Sequence, residues 1–284
     1  MTLDAKPSSA SGRKGHPAFP QVGGKSRLLP HIIPALPSGR RLIEPFVGGG
    51  AVFLNTDGFE EYLLGDSNRH LMELYRTVAE RPQEFIDLAL SFFDDEYRNH
   101  ERYLDVRRAF NSECDVLTRS TQFLYLNRFG FNGLCRYNRS GQFNVPYGHL
   151  ERVPGFPTEQ ILAFADKAQR ATFFHGDFAD IMRLAEPGDV VYCDPPYLDR
   201  DDTASFRGYG AAGFGMNRQR ELANLARELA GRGVPVEISN HDCAAARELY
   251  AGADITGFPA RRSISAAAKS RGNVGELVAV FGNR

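Results

Sequence analysis

The sequence has no tryptophan, four methionines and four cysteines in 284 residues. The cysteines, Cys114, Cys135, Cys193 and Cys243, lie far apart with no paired short spacing, which argues against a zinc knuckle or a disulfide framework. No run of about 18 apolar residues occurs, and the opening stretch MTLDAKPSSASGRKGHP lacks the apolar segment of a secretory signal. Charge of one sign is not in excess: 34 Lys+Arg face 35 Asp+Glu, a formal net charge of -1. The chain as a whole therefore nominates no nucleic-acid partner, and any basic surface must be local. What is present, 42% hydrophobic residues, suffices for the packed core of one large domain or one domain with an insertion. A cytoplasmic protein with no membrane span, no metal and no obligate protein partner is expected.

Residues 1–18 are rich in Ser, Lys, Gly and Pro and read as a flexible tail, because they hold too little apolar surface to offset the entropy of ordering. Leu28 to Ile33 predicts a short helix ended by Pro34. Arg41 to Phe46 predicts a strand that turns through Gly48-Gly49-Gly50 into a helix starting at Ala51, and Tyr62 to Gly65 a second strand ending at Asp66. From Ser67 to about Leu150 the periodicity is helical. Strand signals return at 171–174, 189–193, 235–239 and 277–281, the last after a long connection and expected as an antiparallel edge strand. Alternating strands and helices imply an α/β sheet. Residues 19–68 and 152–284 form its main domain, and 69–151 a mostly helical insertion.

Three features carry chemistry. A strand running into Gly48-Gly49-Gly50 brings bare backbone close to a ligand at the sheet's carboxyl edge. The dinucleotide fingerprint requires a further glycine where Phe53 stands, so a pyrophosphate cofactor loses support, whereas Asp66 is placed to accept hydrogen bonds from ribose hydroxyls. Together they suggest a mononucleoside-like ligand such as S-adenosylmethionine.

The second feature is Asp194-Pro195-Pro196-Tyr197, directly after the strand ending at Cys193. Each proline fixes its φ and offers a carbonyl but no N–H, so the strand end is a stiff, acceptor-only floor. An exocyclic amino group on a purine or pyrimidine is a poor nucleophile because its lone pair is delocalised into the ring. If the Asp194 carboxylate and the Pro195 carbonyl each accept one of its hydrogens, the nitrogen turns tetrahedral and its lone pair becomes available for a methyl electrophile. Tyr197 supplies a face on which a planar base stacks. On these residues alone the amino group of adenine, of cytosine N4, of RNA adenine or of a protein glutamine amide fits, and a non-catalytic DNA-binding relative stays open.

The third feature lies in the insertion, where residues 97–139 hold eight arginines against four acids. Duplex DNA is expected there, with Arg128, Arg136 and Asn138 among the polar contacts and Phe131 or Leu134 as wedges. Arg261, Arg262 and Lys269 form a second basic patch, either a phosphate clamp or an ordinary surface loop.

The ordered series Gly23-Gly24-Lys25, Phe46 to Phe53, Asp66, Asn127 to Asn138, Asn144-Val145-Pro146, Asp194 to Tyr197, Ile238 to Asp242 and Arg261 to Ser265 resembles the Dam family of DNA adenine-N6 methyltransferases, from about Phe19 to the C-terminus. The resemblance implies a Rossmann-like S-adenosylmethionine-dependent methyltransferase sheet with a target-recognition insertion. It implies that Gln21, Gly23, Gly24, Lys25, Phe46, Gly48, Gly50, Asp66, Asp177, Phe178 and Asp194 contact or border S-adenosylmethionine. It further implies that Asp194, Pro195, Pro196 and Tyr197 are catalytic, and that Phe131, Asn132, Leu134, Arg136 and Pro146 face duplex DNA, with Arg136 reading guanine. The implied substrate is the adenine of GATC, flipped out of the duplex. Two positions depart from the family pattern: Pro20-Gln21 stands where a Lys-Trp pair is common, and Leu150 where an aromatic often follows Asn-Val-Pro.

Overall fold

The computed structural model describes residues 25–198, 214–261 and 273–282. Seven strands form one sheet: β1 (Arg41–Glu44), β2 (Glu61–Asp66), β3 (Ala171–His175), β4 (Asp189–Cys193), β5 (Val236–His241), β6 (Asp254–Arg261) and β7 (Asn273–Phe281). Their order is β3-β2-β1-β4-β5-β7-β6, parallel from β3 to β5, with β7 antiparallel to both β5 and β6. The expected α/β sheet is thus present. The last strand is antiparallel as expected, but it is not the edge. β6 covers it, and its sequence DITGFPAR hides the strand because Gly257 and Pro259 interrupt the β-branched pattern.

Successive residues of β1 and β4 point to opposite faces, and each face builds its own cluster. Leu42, Leu64, Val190 and Tyr192 face one side, while Ile43, Leu63, Val191 and Cys193 face the other. The second side is covered by α8 (Phe178–Arg183), α9 (Met216–Gly231) and α10 (Ala244–Leu249). The first is covered by α2 (Ala51–Asn55), α3 (Arg69–Glu80), α4 (Pro82–Leu90), α5 (His100–Phe110), α6 (Val116–Phe129) and α7 (Thr158–Ala168), with α1 (Leu29–Ile32) beside α2. Helices α3 to α7 all lie between β2 and β3, α3 to α6 within the segment 69–151 read as an insertion and α7 beyond it. One hydrophobic cluster runs from Leu42 and Leu64 through Leu71 and Tyr75 to Tyr125 and Phe129, so the helical segment and the sheet share a core.

The chain enters β1 at the centre, moves outward through β2 and β3, then returns to β4 on β1's other side. Strand order reverses between β1 and β4, and open α/β sheets bind ligands in the crevice beyond the carboxyl ends at such a point. Phe46 to Gly50 follow β1 there, and Asp194 to Tyr197 follow β4.

Candidate active site

At the end of β1 the chain turns through Gly48 and Gly50 with φ of 47° and 70°, a left-handed backbone that glycine adopts without steric cost. Gly50 caps α2. The Gly48 N–H donates to Asp66 Oδ2 at 3.2 Å, and the Asn68 N–H donates to Asp66 Oδ1 at 2.9 Å. Burial raises the Asp66 pKa, opposed by these two backbone donors. Asp66 is thus a fixed acceptor at the mouth of β2.

Phe46 stacks on Phe178, ring centroids 5.1 Å apart, and Phe214 meets both edge-on or tilted. Asp177 caps α8 by accepting the Ala179 N–H at 3.0 Å, and it pairs with Arg218 of α9. The Arg218 guanidinium lies 4.4 Å from the centroid of Phe178. These residues make an aromatic-walled crevice with an acidic rim. An adenosine fits this arrangement: Asp66 for the sugar hydroxyls and the half-buried Phe46, backed by Phe178, for the base.

Asp194 is oriented from two sides. The Ser239 hydroxyl of β5 donates to Asp194 Oδ1 at 2.9 Å, and Lys25 Nζ meets the same oxygen at 2.9 Å. Lys25 also lies 4.0 Å above the centroid of the Tyr197 ring. The Tyr197 hydroxyl donates to Glu276 Oε2 of β7 at 2.7 Å, and the ring meets His241 edge-on at 4.5 Å. Burial, with Asp194 and Glu276 nearby, pushes the Tyr197 phenol well above its usual range, so it stays a neutral donor. Gln219 Nε2 donates to the Pro196 carbonyl at 2.7 Å, and Asn240 Oδ1 accepts the Leu198 N–H at 3.3 Å. Asn240 also donates to the Tyr250 hydroxyl at 2.9 Å, the structural role its polar side chain suggests. The Pro196 carbonyl is thus tied to α9. Sequence reasoning had no signal for Gln219 or Glu276, and it placed Ser239 in the 238–242 motif without a role, because each support depends on a pairing between distant elements.

In the helical segment, Phe131-Asn132-Gly133 form a single 3-10 turn in which Asn132 has φ 53° and Gly133 φ 64°. Phe131 is 47% exposed, and Asn132 is also exposed. Beyond it, residues 136–144 form a small hairpin: the Asn138 N–H donates to Gln142 O, the Asn144 N–H to Arg136 O, and Tyr137 bridges Phe143. Arg136, Asn138 and Pro146 are exposed, Arg136 held by Asn144 through Nε at 2.8 Å. Leu134 is half-buried against the core. A groove of about 330 Å³ opens beside the hairpin, lined by Arg107, Arg108, Asn111, Asn138, Gln142 and Asn144 together with Phe143.

The arginines divide in a way the sequence does not show. Arg98, Arg102 and Arg108 pair with Asp95, Glu96 and Asp105, and Arg119 is buried against Glu73. Arg128, expected at DNA, is half-buried and donates to the Gly155 carbonyl at 2.8 Å, tying α6 to the loop before α7. The local basic excess is therefore smaller than the residue count implies. Gln21, Gly23, Gly24, Arg262 and Lys269, with the 1–18 tail, lie outside the described residues; Arg261 ends β6. Among the described residues no group of His, Cys, Asp or Glu is arranged to hold a metal, and no helix is long and apolar enough to cross a membrane.

Comparison with known proteins gives the arrangement its family. A DNA adenine methylase of Vibrio cholerae serotype O1 is 46% identical over 261 residues, covering 92% of this chain and 94% of its own. A DNA adenine methylase of Escherichia coli is 45% identical over 260 residues, covering 92% and 93%. A solved rRNA methylase from Streptococcus thermophilus aligns over 92% of this chain and 95% of its own with a TM-score of 0.35 and 9% identity, a likeness too remote to carry an argument. The model of the D12 class N6 adenine-specific DNA methyltransferases matches residues 22–264, and the chain belongs to that family.

Proposed function

We propose that this enzyme methylates N6 of an adenine flipped out of duplex DNA, within GATC, using S-adenosylmethionine. The observation that carries the reading is the Asp194 carboxylate held by Ser239 close to the Tyr197 ring held by Glu276, with Gln219 fixing the Pro196 carbonyl between them in the chain. S-adenosylmethionine supplies a methyl group activated on a sulfonium sulfur. Asp66, Phe46, Phe178 and the turn at Gly48 and Gly50 hold its adenosine half. Asp194 and the Pro195 carbonyl accept the two hydrogens of the adenine amino group, which moves its lone pair out of conjugation and stabilises the positive charge that develops on nitrogen. Lys25 sits where that amino group binds, so it has to leave Asp194 first, and the carboxylate at the methionine end of the cofactor offers it another partner.

Residues 69–151 act as the target-recognition region of this reading, and 19–68 with 152–284 as the catalytic domain. The exposed Phe131-Asn132-Gly133 turn has the form of a wedge that fills the gap left by an extruded base, and the hairpin presents Arg136 to base edges. The groove lined by Arg107, Asn111, Asn138 and Gln142 suits backbone phosphate. The experiment is transfer of labelled methyl to duplexes carrying GATC or a single-base variant of it. Label in the adenine of GATC alone is the expected result. Label in other adenines keeps the chemistry and removes the site assignment, as the departures at Pro20, Gln21 and Leu150 would then explain. Label only in cytosine, RNA or protein overturns the substrate.

A further inference from the structure

The cofactor crevice and the base-reading hairpin meet through one hydroxyl. Asp66 fixes the turn after β2 by accepting the Asn68 N–H, and the Asn68 side chain caps α3 by accepting the His70 N–H at 3.1 Å and the Leu71 N–H at 3.4 Å. The same Asn68 Oδ1 accepts the Tyr137 hydroxyl at 3.3 Å. The Tyr137 oxygen lies 2.9 Å from His70 Nδ1. Burial holds the Tyr137 phenol above and the His70 imidazole below their ordinary ranges, so both groups are neutral. When the phenol donates to Asn68, His70 Nδ1 carries the proton, and in the other tautomer the phenol donates to Nδ1 across the shorter contact; the hydroxyl joins both partners either way.

Tyr137 sits between Arg136 and Asn138 on an extended stretch of the hairpin. Side chains alternate along such a stretch, so Tyr137 turns inward while its two neighbours face solvent. The ring is packed as well as bonded: it meets Phe143 at 5.6 Å and His70 at 5.5 Å, and His70 rests on Phe110 at 4.7 Å. A shift of the turn after β2 is therefore transmitted to Arg136 and Asn138 together, and a shift of the hairpin is felt at Asp66.

We propose that the Tyr137 hydroxyl is a positioning group that couples cofactor occupancy at Asp66 to DNA recognition by the 136–144 hairpin. The proposal rests on the reading of Asp66 as the ribose acceptor and of the hairpin as the DNA reader. A ribose bound at Asp66 restrains the β2–α3 turn, the turn restrains Tyr137, and the hairpin meets DNA already ordered. Linkage makes the effect reciprocal: DNA tightens the cofactor by the factor by which the cofactor tightens DNA.

The test measures the affinity for a labelled GATC duplex with and without saturating S-adenosylhomocysteine, which binds but cannot react, in the wild type and in Tyr137→Phe. The wild type is expected to bind the duplex at least about fivefold more tightly with the product present, the low end of ordinary coupling. Tyr137→Phe is expected to bring that ratio close to one while leaving its thermal midpoint and its S-adenosylhomocysteine affinity without DNA unchanged. A merely structural tyrosine would lower both binary affinities and keep the ratio. His70→Leu reaches the same hydroxyl from its other side and should also lower the ratio, so an unstable Tyr137→Phe does not end the test. An unchanged ratio in both variants, or a wild-type ratio of one, overturns the proposal. A wild type that binds neither the duplex nor S-adenosylhomocysteine overturns the functional reading instead.

Discussion

Asp194 and Ser239 make separable contributions. Asp194→Ala removes the carboxylate acceptor and should cost about a thousandfold or more in methyl transfer, while duplex affinity measured by fluorescence anisotropy stays close to wild type. Ser239→Ala leaves the carboxylate but removes one of its hydrogen bonds. A bond to a charged group is worth about 1.5–3 kcal/mol, so kcat should fall about tenfold or somewhat more with the KM for DNA little changed. Glu44, at the end of β1, gives a pH prediction. It is fully buried, and burial, opposed by a bond from the Phe53 backbone and aided by Asp194, raises its pKa from 4.5 to about 8. Below pH 4.5 the carboxyl is neutral folded or unfolded, and its burial carries no ionisation penalty. Between 4.5 and about 8 the unfolded carboxyl ionises while the folded one stays protonated, so stability falls by about 1.4 kcal/mol per pH unit. Glu44→Gln removes this penalty. Its thermal midpoint relative to wild type should rise steadily from pH 5 to pH 8 and level off above; a constant difference across that range would contradict a raised pKa.

Helix α6 shows at the scale of an element what the sequence could and could not reveal. It has no apolar stripe: Arg119 to Asn127 are all buried, including Gln122 and Asn127, because other helices and the hairpin enclose it. A helix surrounded by protein gives no amphipathic signal, so an arginine on it reads as solvated when it is not. Arg119 Nη2 lies 2.9 Å from Glu73 of α3 and Nη1 donates to the Glu113 carbonyl. Arg119→Leu leaves Glu73 nearly buried with Arg69 alone, which should cost about 3 kcal/mol and lower the thermal midpoint by several degrees in calorimetry. The strands β1, β2 and β4 were legible because they are buried runs that end on glycine, aspartate or proline. The candidate site residues at 46–50, 66 and 194–197 stand out for the same reason, since strand ends at a switch point are where ligand chemistry collects. β6 was not legible, and neither were the supports of Asp194 and Tyr197. Ser239 reaches the site because β5 runs parallel beside β4, and Glu276 because β7 runs antiparallel to β5, registers that no local pattern encodes.

At the scale of the whole molecule, a net charge of -1 means that DNA binding depends on which cations are left unneutralised on one face. Of the eight arginines between 97 and 139, Arg98, Arg102, Arg108 and Arg119 have carboxylate partners, and Arg128 is bound inward to Gly155. Arg107, Arg136 and Arg139 remain for phosphate or base contacts, Arg107 while half-buried and donating to the Val145 carbonyl and Arg136 while exposed and held by Asn144. Each phosphate neutralised adds about 0.9 to the slope of log affinity against log salt, so with Arg136 on a base edge this region accounts for a slope of roughly 2 and not for the roughly 7 that the residue count suggests. The distinction can be read from two substitutions. Arg139→Ala, at an exposed position just beyond Asn138, should weaken binding and reduce the slope by about one. Arg102→Ala removes a charge that Glu96 already offsets, and the freed carboxylate is screened at the surface, so the slope should stay within error of wild type. Equal effects of the two substitutions in a salt titration of duplex affinity would mean that DNA draws Arg102 away from Glu96. The paired arginines would then be a reserve that the duplex recruits, and the whole helical segment, not the hairpin alone, would be its docking face.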